Sequence, residues 1–253
     1  MNLIGFSTLL KREIIRFLKF PTQMIIQPLI SAVLFMAIFG EFIGGNISFD
    51  GGISFIAFIV PGIIALNLIT ASYSNSAFSL FMMRFLGFIS DLLVAPLSYA
   101  EMVLAFTLGS TIRGVFIGLI ILAVSAFFTP ITIFDPLMFI FFMLGISFVF
   151  GSLGIIIGLW AKEFEQVELL TVFVLTPLTF LGGVFHSINA MPEFLRELTL
   201  FNPFFHLING LRYSLTGINE GNLLVGIILI VVLSVGLLYI NLRLFKMGWN
   251  IRS

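Results

Sequence analysis

No cysteine occurs in the 253 residues, and there are only two histidines and two tryptophans. Without thiols there can be no disulfide scaffold, no thiolate metal site and no cysteine nucleophile. Charge is nearly as scarce. Asp, Glu, Lys and Arg make up 9% of the chain, where a soluble domain carries about 25%. So few charges cannot cover a water-facing surface, which excludes a soluble enzyme, a nucleic-acid binder and a disordered chain. Twelve basic residues balance twelve acidic ones, so no net field draws in a polyanion. His186 and His206 have no nearby carboxylate pair, and no metal site is expected. The HExxH, GxSxG and GxxxxGK(S/T) patterns are all missing, so no catalytic residue is assigned and no route to ATP hydrolysis is evident.

What the chain has is apolar length. It is 60% hydrophobic, with a mean hydropathy of +1.19. A helix crosses a bilayer core with about 20 apolar residues. Six such runs stand out, at 23–43, 53–76, 98–127, 136–161, 167–185 and 222–243. They are continuously apolar rather than alternating, which predicts helices and not a β-barrel. The third run is too long for one straight crossing and predicts a turn near Pro96 or a tilt. The basic residues then orient the chain. Lys11, Arg12, Arg16, Lys19, Arg84, Lys162, Arg243, Lys246 and Arg252 fall on one side, against Arg196 and Arg212 on the other. That bias predicts cytoplasmic termini. Arg113 falls inside the third run.

The first twenty residues do not read as a cleaved signal, because the charges follow Leu9 and Leu10 rather than precede them. At 100° per residue Lys11, Arg12, Arg16 and Lys19 share one face, and Leu10, Ile14, Phe17 and Leu18 the opposite one. This pattern predicts an amphipathic helix over 1–20 along the membrane surface, ended by Pro21. It fits an anchor to anionic lipid first, with a docking element for a cytoplasmic partner as the sharper reading. The glycine pairs Gly40/Gly44, Gly114/Gly118 and Gly154/Gly158 suit close helix packing, within the chain or at a dimer seam.

Three connections carry information. The loop Arg84 to Ser98 is too apolar to face only water and contains Gly87, Asp91 and Pro96. It reads as an interfacial connector or as a short helix pressed into a partner's groove. Lys162, Glu163, Glu165 and Glu168 mark a second turn on the same side. The segment 186–221 predicts a short amphipathic helix after Pro192, then a half-helix starting at Pro203 with Asn202 as its cap. A pair of helices dipping back into the bilayer fits this stretch. Arg212 reads as an anchor of that unit, with contact to substrate as the other reading. Arg113 lines a path, pairs with a partner, snorkels or faces a helix interface.

Taken together, four features resemble the permease subunit of the ABC-2 type family of ATP-driven exporters. These are the basic N-terminal helix before Pro21, the stretch Gly87 to Ser98 ending Ala95-Pro96-Leu97-Ser98, the run Thr171 to Phe185, and Asn202-Pro203 followed by Asn209-Gly210 and Arg212-Tyr213. The resemblance covers nearly the whole chain. It implies an all-α membrane protein in one domain, 1–253: six spans, an N-terminal interface helix over 1–20, a coupling segment over 79–95 and outer re-entrant helices over 186–221. It implies two copies of this chain with two copies of a separate cytoplasmic P-loop ATPase, which binds ATP and Mg. This chain itself would hold no cofactor, and besides the ATPase and its own copy it would meet only membrane lipid. The coupling interface would then use Arg12, Arg16, Arg84, Gly87, Asp91 and Glu163. Arg113, Asn202, Pro203 and Arg212 are the candidates for the translocation path or outer gate. The implied setting is a bacterial cytoplasmic (inner) membrane, and the implied cargo is large and amphipathic: lipid-linked polysaccharide, lipid or a hydrophobic drug. The competing reading is a secondary transporter driven by an ion gradient. It calls for an inverted repeat and charged residues at the midplane, and only Arg113 answers to that.

Overall fold

Asn2 opens the first helix, its side chain accepting the Gly5 amide at 3.1 Å. Helix α1 then runs over Leu3–Lys19. The structure is a computed structural model and describes residues 2–43 and 53–250. Six helices follow that are long and apolar enough to span: α2 (Thr22–Gly40), α3 (Phe55–Phe85), α5 (Tyr99–Ser125), α6 (Pro136–Trp160), α7 (Phe164–Leu181) and α10 (Leu223–Met247). The short α4 (Ile89–Val94) joins α3 to α5. Two further helices, α8 (Glu193–Phe201) and α9 (Pro203–Thr216), precede α10.

The spans match the six apolar runs, with ends moved where local chemistry decides. The second span continues to Phe85, so residues 79–85 close α3 and only α4 is a separate element of the 79–95 segment. The third begins at Tyr99, because Ser98 and Glu101 form a reciprocal capping box. Pro96 stays in the connection, and 27 residues suffice for the crossing. Glu101 is buried and bonded there, accepting from Ser98 and Asn2 amides at 2.6 and 2.5 Å.

Helix α3 is the centre of the bundle, buried along most of its length, with α5 and α6 against it. Small residues permit that approach. A methyl group added at Gly114 would sit 1.9 Å from Ser72 Oγ and 2.8 Å from Ser147 Oγ, and one at Gly154 would sit 2.3 Å from Ser76 Oγ. The partners of Gly114, Gly118, Gly154 and Gly158 are all within the chain, so both glycine pairs pack the bundle internally. Gly44 lies outside the described residues.

Helices α2 and α7 are mostly uncovered and share one irregularity. Each contains a wide turn that ends one residue before a proline. Gln27 N–H reaches back to Thr22 O ahead of Pro28, and Thr176 N–H to Thr171 O ahead of Pro177. A proline inside a helix leaves a carbonyl without its donor, and a π-turn is one way to absorb that.

Candidate transport site

The buried stripe of α1 is Leu9, Glu13 and Phe17, four residues apart. It runs between the two faces read from the sequence and packs along α5 and the end of α3. A methyl group at Gly5 would lie 2.8 Å from Leu97, one at Gly109 would lie 2.7 Å from the Glu13 Cβ, and the Phe17 and Phe116 rings are 6.1 Å apart. Helix α1 is therefore seated inside this end of the bundle rather than laid across it.

A carboxylate among apolar helices must be paired and hydrogen-bonded. Glu13 is fully buried and satisfied on both oxygens. Oε1 accepts from Arg12 at 3.0 Å and Ser79 Oγ at 2.9 Å, while Oε2 accepts from Arg16 at 2.9 Å. Arg16 also donates to the Asn75 backbone oxygen at 2.7 Å and side-chain oxygen at 3.1 Å. The α1 helix is thus tied to α3 by one acid and two arginines. Glu13, Asn75 and Ser79 were not singled out from the sequence. The signal was there: an acid in register with Leu9 and Phe17, with arginines one residue before and three after.

Above this tie lies a cavity of about 1320 Å³ between α1, α2, α3, α5 and α7. Lys11, Arg12, Arg16 and Lys19 line its α1 wall. Gln23, Gln27 and Ser31 of α2, Asn67, Thr70 and Ser74 of α3, and Thr171 and Thr176 of α7 form a polar middle. The two proline-broken helices therefore both border it. At the far end Phe35 and Phe180 line the wall and join Phe39 and Phe185, with Phe39 and Phe185 stacked at 4.5 Å. Arg113, near the middle of α5, is buried and also lines the cavity.

The other coupling candidates gather at the α1 end without forming one cluster. Arg84 is engaged: Nη1 donates to Gly158 O and Ala161 O, each at 3.0 Å, and Nε donates to Asn250 O at 2.7 Å. It closes the free carbonyls at the end of α6 and holds the turn that follows α10, at Asn250, against them. Gly87 has φ +80° in the turn before α4, a conformation that favours glycine. Asp91 is exposed in the first turn of α4, and Glu163 is exposed at the cap of α7. Around α4 the large apolar side chains Phe85, Leu86, Phe88 and Val94 are uncovered, Val94 being 84% exposed.

The α8–α9 unit sits at the opposite end. Asn202 accepts the Phe204 amide at 3.0 Å and donates to Leu178 O at 2.6 Å, and Pro203 fills the first turn of α9. Arg212 is completely buried. It pairs with Glu220 at 3.0 Å, donates to Gly183 O and to Phe58 O, and its guanidinium lies 3.9 Å from the Phe58 ring centre. Glu220 accepts from Ser187 as well. His186 is partly buried beside this pair. Burial holds its pKa below the usual histidine value, Arg212 adds to that, and Glu220 opposes it. Glu220 was missed in the sequence, where it is a lone acid in a polar turn eight residues after Arg212. Of the four path candidates, Arg113 alone lines the large cavity; Asn202, Pro203 and Arg212 are placed as ties of the α8–α9 unit.

Comparison with known proteins decides the family. The family described as ABC-2 type transporter matches residues 5–216. The chain belongs to this family. It is 35% identical over 250 residues to the inner membrane transport permease YadH of Escherichia coli (strain K12), covering 99% of this chain and 98% of that protein. It is 22% identical over 218 residues to nodulation protein J of Neorhizobium galegae, covering 85% and 83%. This ABC-2 permease is a multi-pass membrane protein and the membrane subunit of an ABC transporter.

Proposed function

We propose that this permease exports a large amphipathic cargo, driven by a separate cytoplasmic P-loop ATPase that holds ATP and Mg. The cargo class is lipid-linked polysaccharide, lipid or a hydrophobic drug. Two copies of the chain work with two ATPase subunits in a bacterial inner membrane, with both termini cytoplasmic. The observation that carries the reading is the uncovered apolar surface of α4 and its flanks, Phe85, Leu86, Phe88 and Val94, beside the exposed Asp91. Large apolar side chains left uncovered at a polar end of a membrane protein favour a protein partner, with Leu86 and Phe88 also bordering the cavity. It lies at the same end as α1, whose basic residues favour the cytoplasmic side. A push on α4 would reach α3 and α5 directly, because α4 is their connection. Through Glu13 and Arg16 the same movement would reach α1 and the cavity wall.

The test begins with the tagged chain extracted from its native membrane in mild detergent, with and without a non-hydrolysable ATP analogue. Stoichiometric recovery of a soluble P-loop ATPase is the expected result. An Asp91→Lys variant should insert normally yet lose coupling between ATP hydrolysis and transport. Recovery of the permease alone in several detergents, together with gradient-dependent transport, would favour the ion-driven alternative.

A further inference from the structure

Arg113 is 6% exposed, and its Nε is buried with no hydrogen-bond partner. Its guanidinium has no ion pair among the described residues, and it shares the cavity lining with Arg16, a charge of the same sign. A buried cation without a counter-charge is costly, and proteins retain one chiefly where it has a task. The wall it belongs to carries Lys11, Arg12, Arg16 and Lys19 with it, against Glu168 as the acid on the cavity lining. Glu13 offsets part of that charge but is saturated by Arg12, Arg16 and Ser79. Beyond the basic wall the cavity turns apolar, toward Phe35 and Phe180.

We propose that the cavity binds an amphiphile with an anionic phosphate head, the head placed between Arg113 and Arg16 and the apolar chain toward Phe35 and Phe180. A guanidinium offers forked N–H donors that match phosphate oxygens, and the low-dielectric surroundings strengthen each bond. Gln23, Gln27 and Asn67 supply further donors on the facing walls. This deepens the export reading by giving its cargo a charge. The site stands on the permease alone, so its test needs no ATPase.

The purified full chain in detergent is incubated with dioleoyl phosphatidic acid, dioleoyl phosphatidylcholine or inorganic phosphate. Bound molecules per chain are counted by native mass spectrometry. Phosphatidic acid should be retained at about tenfold lower concentration than phosphatidylcholine. Arg113→Gln should abolish that preference, and Arg113→Lys should keep most of it. The Gln variant removes an unpaired buried charge, so it should elute and melt like a folded protein. Retention of inorganic phosphate that depends on Arg113, without any lipid preference, would support the phosphate site and assign it to a soluble anion. Equal retention of both lipids with no phosphate bound would overturn the proposal. So would a preference that survives Arg113→Gln and vanishes in a Lys11→Gln, Lys19→Gln double variant, since that places the head at the exposed lysines of the α1 wall and not between Arg113 and Arg16. Loss of the preference would leave the ATPase partnership standing, and absence of an ATPase would leave the binding result standing.

Discussion

Glu13 of α1 accepts a hydrogen bond from Ser79 of α3 at 2.9 Å, with no part of the carboxylate side chain open to solvent. This pair fixes the N-terminal helix to the central helix, and Arg16 completes it by spanning Glu13 and Asn75. Removing the acid alone leaves Arg16 without its counter-charge. Arg16 is 27% exposed and can regain some water, so Glu13→Ala should cost about 1–3 kcal/mol, less than breaking a fully buried pair from one side. Glu13→Gln should cost less, because it still accepts from Ser79. The double variant Glu13→Ala, Arg16→Ala should recover part of the loss. Thermal unfolding of the detergent-purified variants reads all three, and additive losses would show that the pair is not coupled.

Gly109 sets how closely α1 approaches α5. A methyl group there would lie 2.7 Å from the Cβ of Glu13, and that carbon cannot swing away without moving α1. Gly109→Ala should destabilise by about 1–3 kcal/mol, as overpacking does. The contrast is Gly236, in α10, where an added methyl meets nothing within 4 Å. Gly236→Ala should be neutral or slightly stabilising, through helix propensity. Equal melting temperatures for the two variants would remove the packing argument.

The six spans were legible because each is a continuous apolar run, and length alone separates such a run from a soluble helix. The start of α9 was legible too, since Asn202 and Pro203 form a cap and first turn by chemistry local to four residues. The end of the second span was not. Arg84 reads as a loop cation in sequence, yet it belongs to α3 and bonds to carbonyls 74 and 77 residues away. Glu13 was hidden for a related reason. The two arginines that neutralise it are its neighbours in sequence, so its surroundings look polar, and only the positions of α3 and α5 make it buried. Pro28 and Pro177 were visible as letters, while their shared wide turn depends on backbone bonds that composition does not encode.

Arg84 predicts a local loosening. Its three bonds to backbone oxygens hold the end of α6 and the chain near Asn250 together. Arg84→Gln cannot reach all three. Bonds from a charged donor contribute about 1.5–3 kcal/mol each at most, and partial exposure here reduces that. Amide exchange at 158–161 and near Asn250 should accelerate in the variant, while the α3–α5 contact around Gly114 stays protected. Uniform acceleration across the chain would mean instead that Arg84 supports the whole bundle.

His186 gives the fold a pH dependence with a definite sign. Its folded pKa lies below the ordinary value, chiefly through burial and further through Arg212, with Glu220 pulling the other way. The unfolded chain therefore takes up a proton at a higher pH than the folded one. Nothing is lost above the ordinary histidine pKa of about 6.5, where both states are neutral. Below it the unfolded state binds the proton first, and stability falls as pH falls. The melting temperature of the wild-type chain should drop between pH 7 and pH 5. His186→Gln should flatten this part of the profile, because glutamine keeps a polar group beside Arg212 and Glu220 but takes up no proton. A wild-type profile that is flat, or that rises on acidification, would show that His186 is not held neutral by its surroundings.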